Sequence, residues 1–303
     1  LKYLANQMVK ATEVPELDVF GLRWEVDLLE LIMNNRSIPD FNVLFERYNQ
    51  EHIIWEILLD SKRTNAYINF IKDNVKDKIV IECGAGTGFF SWLSIKYGAK
   101  KVYSCEQSSV LSEKLQERFK DIDNLEVINL DVFTDKLPVG DIYIHELFGH
   151  GALSEGLTYF LKNCRRQNIE NIYPNNLKLV SCNLNDLSQT LVSLEDFDSS
   201  DLDKDVIKFL KINNIQIDPK NKLFNNIYSI TESNLIFNGN IFDLLNFENV
   251  INRNYLYTYF EAGFDNNYYS SFEKHQNHWE IRHQTTYSYI EDNRRLIKNK
   301  EPY

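Results

Sequence analysis

The order of hydrophobic and polar positions predicts that the chain begins with helices and continues as alternating strands and helices. Residues 1–75 carry apolar positions at helical spacing. The four strands predicted after them are 79–81, 101–105, 125–130 and 140–145. The helices expected between these strands are 89–97 and 110–120. Strands that alternate with helices in this way indicate an α/β fold with a parallel sheet covered on both faces.

The alternation stops near residue 170. Pro174 precedes a segment of strand character at 176–182, and an acid-rich segment predicted to be helical follows at 194–212. Segments rich in Tyr and Phe after residue 225 favour further strands. We therefore expect N-terminal helices over 1–75, a Rossmann-like domain over 76–170 and a mainly β domain over 171–303.

Composition and charge narrow the class of protein. With 303 residues, 43% hydrophobic and 25% charged, the chain is typical of a globular protein with one large or two coupled domains. A net charge of −11 argues against a nucleic-acid partner and favours a cationic one. No apolar stretch is long enough to cross a membrane, and Glu13, Glu16 and Asp18 interrupt any apolar core of a signal peptide. We expect a cytoplasmic protein without a membrane partner.

The four cysteines are scattered without the spacing of a metal site or of a disulfide framework. They are Cys83, Cys105, Cys164 and Cys182. Small buried thiols in a reducing compartment are the favoured interpretation, and no metal is expected.

A glycine turn after the first predicted strand is the strongest chemical signal. Gly84, Gly86 and Gly88 connect a strand to a helix, where backbone amides without side chains can approach a ligand closely. Dinucleotide-binding proteins require a third glycine where this chain has Phe89. The observed spacing, with Glu82 two residues ahead, instead resembles the first motif of class I methyltransferases. That resemblance implies S-adenosylmethionine as the cofactor.

Acids after the next two strands are candidate contacts to the cofactor. Glu106 directly follows the second strand, where such proteins hold the two ribose hydroxyls. The alternative is a structural turn with a surface glutamate. Asp131, together with Val132, follows the third strand, where the adenine is often bound. A solvated turn residue is an equally good interpretation of Asp131.

Two glutamates near the fourth strand suggest a cationic substrate. Glu146 ends that strand, and a glycine-containing loop leads to Glu155 nine residues later. A guanidinium next to a sulfonium meets a repulsion of about 4 kcal/mol at ~4 Å and an effective dielectric of ~20, so its site needs carboxylates. Carboxylates also orient the planar guanidinium through paired hydrogen bonds. By spacing alone, two solvated loop glutamates are the more common alternative.

Several ordered motifs resemble the protein arginine methyltransferases. The double-glutamate loop has the family's spacing, and 57–67 is similar to its Met-Leu-x-Asp-x-x-Arg-Thr-x-x-Tyr helix. The other similar segments are 45–48, 172–174, which matches the start of the family's β-barrel, and 277–279. Two positions depart from the family pattern, because Leu44 replaces a tyrosine and Phe133 replaces an acid that holds the adenine.

The resemblance implies a role for each matched residue. Arg63 would bind the carboxylate of the cofactor, and Glu146 and Glu155 would hold the substrate guanidinium. His278 would pair with Asp60 and take part in proton transfer. Tyr48 and Trp279 would contribute to the substrate pocket. Taken alone, Arg63 is an exposed helix residue, and His278 and Tyr48 are ordinary packed residues.

The resemblance also implies a barrel-like second domain with a helical dimerisation arm at about 190–235, and hence a homodimer. The expected substrate is an arginine-containing peptide or protein, or free arginine. The amino-acid sequence of the double-glutamate loop is closer to that of the monomethylating branch of the family. Two alternatives remain open, namely a class I methyltransferase for an unrelated small molecule and a non-catalytic scaffold.

Overall fold

A computed structural model describes most of the chain between Trp55 and Phe272. The described residues are Trp55, 57–149, Ala152, 155–193, 202–215, 222–246, 257–265 and 267–272. The predictions for Tyr48, His278 and Trp279 lie outside these residues, as does the prediction of helices before residue 55.

Five strands form a parallel sheet, in agreement with the α/β expectation. They are β1 (Ile79–Cys83), β2 (Lys101–Glu106), β3 (Leu125–Asn129), β4 (Ile142–His145) and β5 (Ile172–Tyr173). Their order across the sheet is β3-β2-β1-β4-β5, and all pairs are parallel. From β1, the chain first adds β2 and β3 on one side of the sheet and then adds β4 and β5 on the other side. The order therefore reverses between β1 and β4.

Four helices accompany this sheet. They are α1 (Ser61–Asn74), α2 (Phe89–Lys96), α3 (Ser109–Phe119) and α4 (Leu157–Arg166). Asp60 and Ser108 cap α1 and α3, because their side chains accept hydrogen bonds from backbone amides of the first helical turn. α2 and α4 instead start after Gly88 and Gly156, both in the left-handed conformation. The strands and helices predicted between 79 and 145 are confirmed, with bounds that shift by one or two residues.

A second, antiparallel sheet follows. Its strands are β6 (Asn176–Ser193), β7 (Lys222–Asn240), β8 (Tyr257–Phe264) and β9 (Asn267–Ser270), in the order β7-β6-β8-β9. The prediction that residues 172–173 begin this second sheet was wrong. The β-branched Ile172 is buried and pairs with Tyr143, so β5 extends the parallel sheet and the antiparallel sheet begins at Asn176.

The segment predicted as a helical arm, at about 190–235, contains one helix among its described residues. This helix, α5 (Lys204–Ile212), lies within the helical segment expected at 194–212, of which residues 194–201 lie outside the described residues. Residues 190–193 and 222–225 are strand residues that pair with each other at the far end of the β6–β7 ribbon. Backbone pairing across two long strands outweighs the helical appearance of the sequence there.

α5 packs against the N-terminal half of the described chain. Phe209 is fully buried, and its ring centroid lies 5.1–5.4 Å from those of Trp55, Phe89 and Trp92. Asp205 is buried as well and pairs with Lys96. α5 thus covers part of α2, the helix that follows the glycine turn.

No helix among the described residues combines the length and the apolar character needed to span a bilayer.

Two constraints favour glycine at Gly88, namely a left-handed backbone conformation and close packing against a neighbouring helix. A comparison with Gly98 separates their contributions to stability. Both have φ in the left-handed region, at +74° and +87°. A Cβ at Gly88 would lie 2.5 Å from the Phe119 ring, whereas at Gly98 the nearest side-chain atom is 3.6 Å away. Gly98→Ala should cost about 1–2 kcal/mol from backbone strain. Gly88→Ala should cost a further ~1–3 kcal/mol from overpacking against α3.

Urea unfolding of the two variants measures this difference. Equal losses of unfolding free energy would show that α3 yields to the extra methyl group and that close packing of the turn is unimportant.

Candidate functional site

The candidate site lies where the order of the parallel strands reverses. Ligands of open α/β sheets bind beyond the carboxyl ends of the strands at this point. Here β1 leads into Gly84, β2 ends at Glu106 and β4 leads into Glu146. The topology therefore brings together three groups that lie up to 62 residues apart in the sequence (146 − 84 = 62).

The glycine turn is held by its own hydrogen bonds. The amides of Gly84 and Ala85 both donate to the carbonyl of Cys105, each at 2.9 Å. Gly86 N donates to Glu106 Oε2, also at 2.9 Å. The expectation of bare amides facing a ligand was therefore wrong at these three positions. Gly84, Gly86 and Gly88 instead provide the positive φ values that the turn requires.

Glu82 acts on the start of α2. Its Oε2 accepts a hydrogen bond from Ser91 N at 2.8 Å and another from the Ser91 hydroxyl. Burial raises the pKa of Glu82 to about 8, although the hydrogen bonds from Ser91 oppose this shift. Glu82 therefore joins β1 to α2, the two elements that flank the glycine turn. Glu82 also borders the cavity that Arg63 and Glu146 line, and its predicted contact with the cofactor stays a prediction.

Glu106 links the glycine turn to the start of α3. Its two carboxylate oxygens accept hydrogen bonds from Gly86 N and from Ser108 N at 2.8 Å. Burial raises its pKa, and the backbone amides partly offset that effect. Each carboxylate oxygen has a second lone pair, so Glu106 can still accept hydrogen bonds from two hydroxyls.

Arg63 and Glu146 form an ion pair inside the site. Arg63 Nη2 lies 3.2 Å from Glu146 Oε2, with side chains 4% and 15% exposed. Burial alone lowers the pKa of Arg63, but the charge of Glu146 raises it above its usual value. The guanidinium also lies 5.4 Å from the ring centroid of Tyr67. Arg63 is thus a buried cation, in contrast to the exposed helix arginine that the sequence alone favours.

This ion pair leaves hydrogen-bonding capacity unused. Arg63 Nε and Glu146 Oε1 are buried and have no partner among the described residues. Because unpaired buried polar atoms are costly, such a pair points to a ligand. The ligand that satisfies both atoms carries an acceptor for the guanidinium and a donor for the carboxylate.

Both side chains line a cavity of about 70 Å³ next to the glycine turn. Drug-sized ligands occupy cavities of roughly 300–1,000 Å³, so the described residues enclose only part of the volume that an adenosyl cofactor needs. The lining residues include Ile57, Leu58, Arg63, Glu82, Gly84, Gly86, Thr87, Phe90, His145 and Glu146.

His145, directly before Glu146, is buried and neutral. Its Nε2 lies 3.3 Å from the carbonyl oxygen of Pro174, and its ring packs between Phe148 and Phe160. Burial lowers its pKa to about 3. Because a carbonyl can only accept, Nε2 carries the proton. His145 thus connects the end of β4 to the start of the second sheet.

Two tyrosines that the sequence-based list omitted adjoin the ion pair. Tyr67 lies on α1 and Tyr269 on β9, and both are buried. Tyr67 donates a hydrogen bond to the carbonyl of His145 at 2.8 Å, and its oxygen lies 3.1 Å from the hydroxyl of Tyr269. Tyr67 belongs to the helix motif already recognised in the sequence. Tyr269 follows Tyr67 by 202 residues, and no spacing rule connects them.

The remaining predicted residues do not line the cavity. Asp60 caps α1 by accepting from Arg63 N, and its predicted partner lies outside the described residues. Asp131 accepts from Phe133 N within its own turn, and the carbonyl of Val132 accepts from Asn163. Glu155 is exposed just before α4. The convergence of Glu155 with Glu146 stays a prediction.

Fold and site together define a Rossmann-like α/β protein with a candidate adenosyl site and an additional antiparallel sheet. No protein-family profile matches the chain. Over 130 residues it is 37% identical to protein arginine N-methyltransferase 1 of Chlamydomonas reinhardtii and 35% identical to that of Saccharomyces cerevisiae. These matches cover 41% and 37% of the chain. The relationship to protein arginine N-methyltransferases that the motifs indicated is confirmed for this segment.

The matches span 37% and 34% of the two relatives' own lengths. Among solved structures, the chain is similar to Arabidopsis thaliana protein arginine methyltransferase 10. That similarity covers 75% of this chain and 80% of that one, with 16% identity and a TM-score of 0.49.

His145 should make the fold sensitive to acid. Unfolded histidine takes up a proton below about pH 6.5, whereas buried His145 resists protonation until about pH 3. Between these values the unfolded state binds one more proton at this residue, so His145 lowers the free energy of unfolding as pH falls, by about 1.4 kcal/mol per pH unit. Buried Glu82, whose pKa is raised to about 8, acts in the opposite direction over much of this range, so the contribution of His145 is read against a variant.

Urea titrations at several pH values from about 7 to 5 test this dependence. His145→Asn keeps a hydrogen-bond donor and removes the titration, so the free energy of unfolding of the wild type should decrease relative to that of the variant as pH falls below about 6.5. Identical slopes would mean that His145 is protonated without cost in the folded protein.

Proposed function

We propose that this protein is an S-adenosylmethionine-dependent arginine N-methyltransferase. The observation that carries this proposal is the buried ion pair of Arg63 and Glu146 beside the glycine turn, with one unpartnered polar atom on each side chain. One atom suits a carboxylate and the other suits a guanidinium. An arginine methyltransferase brings these two groups together.

The residues present fit the cofactor. Arg63 has a free Nε–H for the carboxylate of its methionine part, for which a planar guanidinium is well suited. Glu106 has acceptor capacity for two ribose hydroxyls, and Gly84 and Gly86 line the cavity beside Arg63. Bound S-adenosylmethionine supplies the methyl group as part of a sulfonium.

Glu146 orients the substrate nitrogen. A guanidinium that donates to Glu146 Oε1 is fixed in direction, and the negative charge offsets the repulsion between guanidinium and sulfonium. We propose that Glu155 supplies a second carboxylate, so that the substrate guanidinium donates hydrogen bonds to both glutamates. With two carboxylates, the site can keep electron density on the attacking nitrogen and align it with the methyl group.

The substrate that we propose is an arginine-containing peptide or protein, with free arginine as the smaller variant of the same chemistry. The net charge of −11 supports a cationic substrate. We also propose a cytoplasmic location, which the four free, buried cysteines support.

Glu146→Gln should abolish turnover and retain cofactor binding. Glutamine keeps the shape of the side chain but neither neutralises the guanidinium nor accepts from it through two oxygens. The rate of methyl transfer to an arginine peptide should fall at least tenfold, which corresponds to ~1.4 kcal/mol of barrier. Calorimetry should show a cofactor Kd close to that of the wild type.

Glu170→Gln is the matched control, because Glu170 is exposed and lies before β5, at the amino end of the parallel strands, whereas Glu146 follows the carboxyl end of β4. It should methylate at the wild-type rate. If Glu146→Gln also keeps more than about a tenth of that rate, Glu146 does not hold the substrate.

We further propose a homodimer in which α5 of one copy packs on the other. The long β6–β7 ribbon carries α5 away from its own sheet. α5 and its N-cap contact α1 and α2 through Asp203, Asp205 and Phe209. These contacts include the Lys72–Asp203 pair at 3.0 Å. Exchange of α5 between two copies preserves all these contacts, which is a low-cost route to a dimer.

A cross-link across the Lys72–Asp203 pair distinguishes the two arrangements. In the double variant Lys72→Cys with Asp203→Cys, a short bismaleimide joins the cysteines, and the native thiols are buried. We expect a covalent dimer on a denaturing gel and a dimer mass by light scattering. The single-cysteine variants are the controls and should not give the cross-linked band. A cross-linked monomer with a monomer mass would contradict the exchange.

A further inference from the structure

The antiparallel sheet meets helix α1 at a pair of buried hydroxyl groups. Tyr269 of β9 and Tyr67 of α1 have oxygens 3.1 Å apart. Packing fixes both rings, because Tyr67 stacks on Phe90 at 4.5 Å and meets the edge of Phe264 at 4.8 Å. Tyr269 is 3% exposed and adjoins Phe148. The hydroxyls therefore have little freedom to choose other partners.

The hydrogen bonds of this pair have a defined direction. Burial raises the pKa of both tyrosines, so each keeps its single proton. Tyr67 uses its proton for the carbonyl of His145, which can only accept. Tyr269 must then donate to the oxygen of Tyr67. The result is a chain of two hydrogen bonds that runs from the antiparallel sheet to the backbone of His145.

The carbonyl of His145 lies beyond the last residue of β4 that is paired with β5. β5 provides strand partners for Tyr143 and Ile144 but not for His145, the last residue of β4. Buried carbonyl groups require a partner, and the hydroxyl of Tyr67 takes the place of the missing strand. The next residue, Glu146, therefore leaves the sheet from a peptide group that Tyr67 and Tyr269 hold in place.

We propose that Tyr269 is a positioning residue for Glu146, through which the antiparallel sheet orients the carboxylate of the methyl-transfer site. This proposal rests on the proposed function of Glu146. It gives the second domain a direct part in the reaction, since a shift of β9 would move the peptide group from which Glu146 extends. Tyr269 acts through Tyr67 and does not itself need to contact the substrate.

The test compares Tyr269→Phe with Tyr268→Phe. Tyr268 is adjacent on β9, is 39% exposed and lies under the ammonium group of Lys178. Tyr269→Phe removes only the donor and keeps the ring. Its kcat for an arginine peptide should fall about tenfold, equivalent to the ~1.4 kcal/mol of barrier that one oriented hydrogen bond can supply. Its KM for the cofactor should stay within about twofold of the wild type. General destabilisation does not lower kcat while leaving this KM unchanged. Tyr268→Phe should match the wild type in both.

Amide hydrogen exchange, read by mass spectrometry, provides a second measurement that needs no activity. Tyr269→Phe should accelerate exchange in the peptide that spans the end of β4 and Glu146, while Tyr268→Phe should leave it unchanged. Wild-type protein without arginine methylation contradicts the proposed function and not the hydrogen-bond chain. If Tyr269→Phe shows wild-type exchange in this peptide, or wild-type kcat in an active enzyme, the positioning role of Tyr269 is overturned.

Discussion

The ion pair between Arg63 and Glu146 is the interaction on which the site depends. Two charges in a mostly buried position lose much of their hydration, and their attraction compensates only when the geometry is good. Here both groups keep an unused polar atom, so the pair is not a fully satisfied structural bridge. Its position beyond β1 and β4, where the strand order reverses, explains why the pair borders the cavity.

The rest of the described structure fixes the two partners of this pair. Arg63 lies on α1, whose first turn is capped by Asp60, and Glu146 follows directly on β4. At the glycine turn, Glu82 and Glu106 tie the turn to α2 and α3. At the end of β4, His145 and Tyr67 connect this strand to the second sheet. A small displacement of any of these elements changes the distance between the guanidinium and the carboxylate.

The local patterns predicted much of this arrangement. The β-branched strands, the glycine turn and the acids that follow β2 and β4 are all visible in the sequence, because each depends on residues close in the chain. The burial of Arg63 and its pairing with Glu146 depend on the tertiary fold, as does the contact of Tyr269 with Tyr67. The long strands at both ends of the predicted arm were also missed, since pairing between β6 and β7 decides their conformation. Glu82 was placed at the cofactor, although its hydrogen bonds go to Ser91.

The central claim is that the site places a methyl group on a guanidinium nitrogen. It is tested most directly by mass spectrometry of the products formed from a degenerate library of arginine peptides, with free arginine as competitor and S-adenosylmethionine present. The account predicts that products gain one or more methyl groups at arginine, and that a matched library with lysine in place of arginine gains none. Methylation of the lysine library, or unmodified arginine in both the peptides and the free amino acid while the protein binds S-adenosylmethionine, would contradict it.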